Sequence, residues 1–254
     1  MRLFDTHAHY DDEAFDADRD EVLSTFDGLV IDPGCTLASS QAAIDLAARH
    51  PNVYAAVGIH PENCGDFLPE HINVLRRLAR QPKVVAIGEI GLDYYWAENP
   101  PCEFQQQVFR AQLELALELD LPVIVHDREA HGDSLTIVRD YPALRGVFHC
   151  YSGSVEMARE LLALGWYLGF DGPVTYKNAR KTVEVAEMAP LDRILIETDS
   201  PYMSPVPMRG KRNDSRNVLY IAEKLAQLKG MTTEEMAELT GVNGKRLFNI
   251  AKAL

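Results

Sequence analysis

The stretch "RLFDTHAHYDDEAF", residues 2–15, decides how the chain is read. A short apolar run, Leu3-Phe4, passes through Asp5-Thr6 into two histidines one residue apart, His7 and His9. Side chains alternate between the faces of an extended strand. Both imidazoles therefore point one way, and the small Ala8 points the other. Two converging imidazoles suit a metal ion such as Zn, Mn, Fe or Ni; the plain alternative is a pair of surface histidines. The stretch also bears on the fold. An open doubly wound sheet usually carries a glycine-rich phosphate loop after its first strand, and here "HAHYDDEAF" stands in that place.

Further along, short β-rich runs alternate with longer helical ones. Strands are predicted over 2–6, 28–32, 53–59, 84–89, 122–126, 146–149, 166–170 and 193–197. Most are near-continuous apolar runs, as expected of parallel strands covered on both faces. Amphipathic segments lie at 38–50, 67–80, 103–120, 130–140, 154–164, 178–188 and 215–229. The clearest is 103–120, free of glycine and proline. A last segment, 232–250, opens on a Thr-Thr-Glu-Glu capping signature. Eight β/α alternations in 254 residues match a (β/α)₈ TIM barrel. The expectation is one α/β barrel domain over 1–254 with an extra C-terminal helix.

The net charge of −13 argues against a protein that wraps long duplex through a broad basic face. It leaves room for a small positive pocket that holds one or two phosphates. Cys35, Cys64, Cys102 and Cys150 form no CxxC pair and read as reduced thiols of a cytoplasmic protein. The first strand begins almost at once, which leaves no room for a signal peptide, and no apolar run reaches the ~20 residues that span a bilayer.

Barrel enzymes act at the C-terminal ends of their strands. Read only there, the chain offers His7 and His9, then His60, Glu89, His126, His149 and Asp171, and lastly Glu197 and Asp199. The set His7, His9, Glu89, His126, His149 and Asp199 is chemically complete for two divalent ions. Such a pair, about 3.5–4 Å apart, needs a shared carboxylate, and Glu89 on a middle strand is the natural bridge. One ion takes His7, His9, Glu89 and Asp199; the other takes Glu89, His126, His149 and solvent. Mixed nitrogen and oxygen ligation suits Zn or Mn, with Mg at a partly hydrated site. Cys150 reads as packing, because it neighbours His149 on a strand.

These residues sit in motifs that resemble the TatD family of metal-dependent deoxyribonucleases, within the amidohydrolase-like barrels. The matching stretches are Asp5-Thr6-His7-Ala8-His9, Gly88-Glu89-Ile90-Gly91-Leu92-Asp93-Tyr94, Val125-His126-Asp127-Arg128-Glu129-Ala130, His149-Cys150-Tyr151-Ser152-Gly153 and Glu197-Thr198-Asp199-Ser200-Pro201-Tyr202. Near the end, Asn243 and Arg246-Leu247-Phe248 also match. The resemblance implies a TIM barrel, divalent metals and hydrolysis of phosphodiester bonds in DNA. Many amidohydrolases bridge their metals with a carbamylated lysine; the fourth strand here offers Glu89 instead. On this reading Asp199 is also the general base that takes a proton from the attacking water.

For substrate phosphates the candidates are Arg209, Lys211 and Arg212, in "MRGKRND" after the last strand, together with Arg128. The loop matches the family's Arg-Gly-Lys-Arg-Asn pattern, although Ser215 stands where the family commonly has proline. The alternative for it is a solvated basic loop. Tyr94, Tyr95 and Trp96 are set either to stack on bases or to pack on the rim. His60 and Asp171 read as substrate-facing; Asp93 and Glu197 read as supporting groups. His50, His71 and His131 read as surface or capping residues.

Three functions compete. The first is a metal-dependent nuclease acting on DNA ends or single strands. The second is a hydrolase of a small amide, ester or phosphoester on the same barrel. The third, a non-catalytic binding protein, is disfavoured by the complete ligand set.

Overall fold

The computed structural model describes residues 2–250. Met1 and residues 251–254, counted in the expected domain, lie outside the described residues. The eight strands are β1 (Leu3–Asp5), β2 (Gly28–Pro33), β3 (Val53–Val57), β4 (Val84–Asp93), β5 (Val123–Arg128), β6 (Gly146–Phe148), β7 (Tyr167–Phe170) and β8 (Ile194–Ile196). They pair in parallel, in sequence order. Thr6 N–H donates to the Ile196 carbonyl at 3.2 Å, and an isolated parallel bridge joins Ala8 to Ser200. These contacts draw β8 back to β1 and nearly close the barrel.

The helices are α1 (Arg19–Thr25), α2 (Leu37–Arg49), α3 (Pro69–Leu78), α4 (Cys102–Leu119), α5 (His131–Arg139), α6 (Val155–Ala163), α7 (Arg180–Met188), α8 (Val218–Lys229) and α9 (Thr233–Leu247). In α4, Val108, Phe109, Gln112, Leu113, Leu115 and Ala116 form one buried face. That is the spacing of an amphipathic helix against a sheet. The capping box of α9 forms as its sequence suggests. Glu235 N–H donates to Thr232 Oγ1 at 3.2 Å, and Thr232 N–H donates to Glu235 Oε2 at 2.8 Å.

Several boundaries differ from expectation. Helix α1 was missed; its seven residues bury only Val22 and Leu23, too few to show a period. Strand β4 runs on to Asp93 instead of ending at Glu89. The segment predicted from 215 opens with a 3-10 turn, Ser215–Asn217, before α8.

Period-two alternation sorts the strand residues into two apolar layers. Phe4, Leu29, Ile31, Ala56, Ile124, Val147 and Leu195 fill one; Leu3, Val30, Ala55, Val57, Val123, Val125, Ile194 and Ile196 join the other, with the helices. The first is the barrel interior and the second is the jacket between sheet and helices. Leu247 and Phe248 belong with the interior set, and the Phe4 and Phe248 rings lie 6.4 Å apart. The end of α9 therefore packs against the interior at the start of β1, away from the strand ends that carry the polar residues. Asn243 fastens it, donating to the carbonyls of Leu191 (2.8 Å) and Ile194 (2.9 Å). Burying one such large side chain contributes roughly 1.5–3 kcal/mol.

Candidate metal centre

The regular part of β1 stops at Asp5. Just beyond it, the Ala8–Ser200 bridge holds the chain, and His7 Nε2 and His9 Nε2 come within 3.1 Å of each other. The two histidines converge as expected, in an irregular segment instead of a strand. His126 lies on β5, while Cys35, His60, His149 and Asp199 follow β2, β3, β6 and β8. All stand at the strands' C-terminal ends, the usual location of barrel chemistry.

Glu89 owes its aim to a local irregularity. Ile87 pairs with Val123 and Ile90 with Val125, so three steps along β4 match two along β5. The extra residue is a bulge at Gly88-Glu89, a device that redirects a side chain. Two residues on, Gly91 takes φ +145°, and a Cβ there would lie 2.0 Å from the His126 carbonyl oxygen. Only glycine lets the two strands pass this closely.

The two oxygens of the Glu89 carboxylate face different histidines. Oε1 lies 2.7 Å from His149 Nε2, 2.9 Å from His126 Nδ1 and 3.5 Å from His60 Nε2. Oε2 lies 3.3 Å from His7 Nε2 and 3.5 Å from His9 Nε2. Asp199 Oδ1 lies 3.8 Å from His7 and 3.6 Å from His9. Asp199 itself sits in the left-handed region (φ 54°), with its N–H donating to the His7 carbonyl at 2.9 Å. His126 Nδ1 and His149 Nε2 are 3.3 Å apart. Ring nitrogens at 3.1 and 3.3 Å hold between them either a proton, as in an ordinary N–H···N hydrogen bond, or a cation, and carboxylate oxygens stand beside both pairs. The donor set therefore fits metal ions. Three overlapping groups, His7–His9–Glu89, His7–His149–Asp199 and His60–Glu89–His126, each bring their ligand atoms within 4.8 Å of one another.

Outer contacts orient these rings. His126 Nε2 meets Asp93 Oδ2 at 3.0 Å, and Asp93 Oδ1 also accepts from Tyr95 N–H at 2.9 Å. Buried Glu197 accepts from Thr6 Oγ1 (3.2 Å) and Cys150 N–H (2.5 Å), as a supporting group should. Cys35 escaped the sequence reading. Its Sγ lies 3.9 Å from His9 Nδ1 and 3.8 Å from Glu89 Oε2. Its only sequence signal is its place two residues past the end of β2.

The electrostatics centre on Glu89. Burial alone would raise its carboxyl, but His149, His60, His7 and the His126 hydrogen bond outweigh burial and hold it well below the usual range. His126 shows the converse: burial would lower it, yet bonds to Asp93 and Glu89 raise it to about 10. Burial, with help from His149, drops His7 to about 4. The carboxylates of Glu89, Asp93 and Asp199 thus stand among five imidazoles, a donor set in which cations can displace protons.

A cavity of about 600 Å³ opens over this cluster; its lining includes His9, Cys35, His60, Glu89, Trp96, His126, Arg128, His149 and Asp199. Asp11, Asp12 and Glu62 also line it, and Arg128 is its only arginine or lysine among the described residues. The basic loop is not in the lining. Arg212 pairs with Asp18 (2.6 and 2.7 Å), Arg209 lies over the Tyr176 ring at 4.0 Å, and Lys211 is exposed. Two expectations are corrected. Asp171 is buried, accepts the Cys150 thiol at 3.2 Å and does not line the cavity. Cys150 lies beyond the end of β6 at φ 42°, so strand alternation does not apply to it. Tyr94 is tied to Asp133 and Gln106. His50 is buried against Asp20, His71 caps α3, and His131 meets Asp127, consistent with local roles.

Fold and rim together describe a metal-dependent barrel hydrolase. The family model described as "TatD related DNase" matches residues 4–249, and the chain belongs to that family. It is 44% identical to the metal-dependent hydrolase YabD of Bacillus subtilis (strain 168), covering 98% of this chain and 99% of the relative. It is 36% identical to the 3'-5' ssDNA/RNA exonuclease TatD of Erwinia tasmaniensis, covering 98% and 100%. The crystal structure of YjjV, a TatD homolog from Escherichia coli K12, superposes with a TM-score of 0.91 at 32% identity, covering 98% and 99%.

Proposed function

We propose that the protein is a deoxyribonuclease that removes nucleotides from DNA ends or single strands, using two divalent ions. The observation that carries this reading is the split aim of Glu89, with Oε2 toward His7 and His9 and Oε1 toward His126 and His149. A carboxylate so placed is the bridge that a two-ion centre requires. His7, His9, Glu89 and Asp199 would hold one ion, and Glu89, His126 and His149 the other, with Mg, Mn or Zn the candidates. When bound, the ions supply an acidified water and neutralise phosphoryl charge. Asp199 accepts the water's proton as general base, held in place by its backbone bond to His7. His60, beside Glu89, faces the phosphoryl group, and Arg128 grips a phosphate oxygen. Arg209, Lys211 and Arg212 serve a strand that leaves the cavity. The relative named a single-strand exonuclease supports this substrate class. Free cysteines support a cytoplasmic setting, and the residues from β1 to α9 serve as one domain.

A second reading, hydrolysis of a small phosphoester or amide, is favoured by the acidic cavity wall and the absence of the basic loop from the lining. One experiment separates them: end-labelled single- and double-stranded DNA with Mg or Mn, comparing wild type with His126→Ala and Asp199→Ala. A ladder of shortened products, lost in both variants, is expected. No metal-dependent cleavage by the wild type would reject the nuclease in favour of the small-molecule hydrolase.

A further inference from the structure

Trp96, in the cavity lining, and Tyr95 beside it are large aromatic side chains left uncovered. Tyr95 is 52% exposed and Trp96 43%. They stand two and three residues past the end of β4, and their rings meet edge to face at 4.7 Å. The Arg128 guanidinium lies 3.9 Å from the Tyr95 ring centre and 5.3 Å from that of Trp96. Trp96 and Arg128 line the same cavity as His126 and Glu89. Exposed apolar rings rimmed by polar groups mark a binding surface. This one is also fixed in place. Asp93 Oδ1 accepts from Tyr95 N–H (2.9 Å) and Asn99 Nδ2 (3.1 Å), while its Oδ2 holds His126 Nε2 (3.0 Å). One buried carboxylate thus sets both a metal-centre histidine and the loop bearing the rings. Tyr94 N–H adds a bond to the Arg128 carbonyl at 3.0 Å.

We infer that Tyr95, Trp96 and Arg128 form a nucleobase-stacking subsite, which seats the base beside the phosphate at the metal centre. This rests on the nuclease reading and deepens it: the preferred substrate is a nucleotide ester, and a phosphodiester without a base is a poor one. Every base has a π-face, so the subsite tolerates all four. Arginine adds a flat cation that both stacks and bonds phosphate, which lysine cannot reproduce.

Trp96 provides the test, because the chain's other tryptophan, Trp166, is 1% exposed in the core. The intact protein with Mg is titrated with deoxyadenosine 5'-monophosphate and with 2-deoxyribose 5-phosphate, following tryptophan fluorescence and binding heat. The nucleotide is expected to quench the emission and bind more tightly than the sugar phosphate. Trp96→Ala should weaken the nucleotide by about 5- to 150-fold and leave the sugar phosphate unchanged, while Trp96→Phe keeps most of the affinity. Equal binding of the two ligands, or nucleotide affinity unchanged in Trp96→Ala, overturns the subsite. DNA cleavage that depends on His126 but ignores Trp96 would sink the subsite alone. Base-dependent quenching without any DNA cleavage would keep the subsite and reject the nuclease reading.

Discussion

Replacing Gly169 with alanine probes the support under the centre. Gly169 lies on β7, and a Cβ there would fall 2.5 and 2.6 Å from the two Glu197 carboxyl oxygens and 2.7 Å from their carbon. Carboxyl groups often swing aside, but Glu197 is fully buried and bonded to both Thr6 and Cys150. Overpacking of this kind costs about 1–3 kcal/mol. Leaving one of those buried partners unbonded adds about 1–3 kcal/mol. The expected loss is therefore roughly 2–6 kcal/mol; at about 2–4 °C per kcal/mol for a chain of this size, that is roughly 4–24 °C in melting temperature. Gly132→Ala in α5 is the control, because nothing lies within 4 Å of its Cβ. Helix propensity makes that change neutral or stabilising by up to about 1 kcal/mol. Thermal unfolding of both variants checks the pair. If Gly169→Ala melts with the wild type, the Glu197 carboxylate is free to move and is not a fixed support.

Asp93→Ala should lower metal affinity by about 10- to 100-fold in competition with a chromogenic chelator, because it frees the outer nitrogen of His126. Cys35→Ala should cost less, since its sulfur stands 3.9 Å from His9; affinities equal to wild type in both would refute the outer contacts. Metal-free protein should lose stability as pH rises. The folded His126 titrates at about 10 against an ordinary 6.5, so its contribution is full below 6.5 and fades toward 10. Melting curves of wild type and His126→Gln in chelator should differ by that slope, and metal loading should reverse its sign because cation and proton compete for the ring. Arg212→Ala should cost on the order of 1 kcal/mol of stability by releasing Asp18, whereas Lys211→Glu should weaken single-stranded DNA binding, most at low salt. Unchanged DNA binding in Lys211→Glu would remove the loop from the substrate path.

Much of this is readable in the sequence because the signals are local. Apolar runs of strand length alternate with 3.6-period segments, and "HAHYDDEAF" stands where a phosphate loop would mark the competing fold. The barrel rule then sends attention to strand ends, where His7, His9, Glu89, His126, His149 and Asp199 stand. The helix Arg19–Thr25 was lost because a short element with two buried residues has no visible period.

The sequence by itself determined the order of the strands and of every helix but α1, and the kind of chemistry, since these follow from residue type and spacing along the chain. Tertiary structure decided what depends on distance between remote segments. It turned Glu89 inward through a one-residue bulge against β5 and set Cys35 beside His9 and Glu89. It buried Asp171 and tied Arg212 to Asp18. Hydrophobic periodicity reports which face of an element is covered, but not which polar group from another strand it meets; that is settled only when the strands close into a ring.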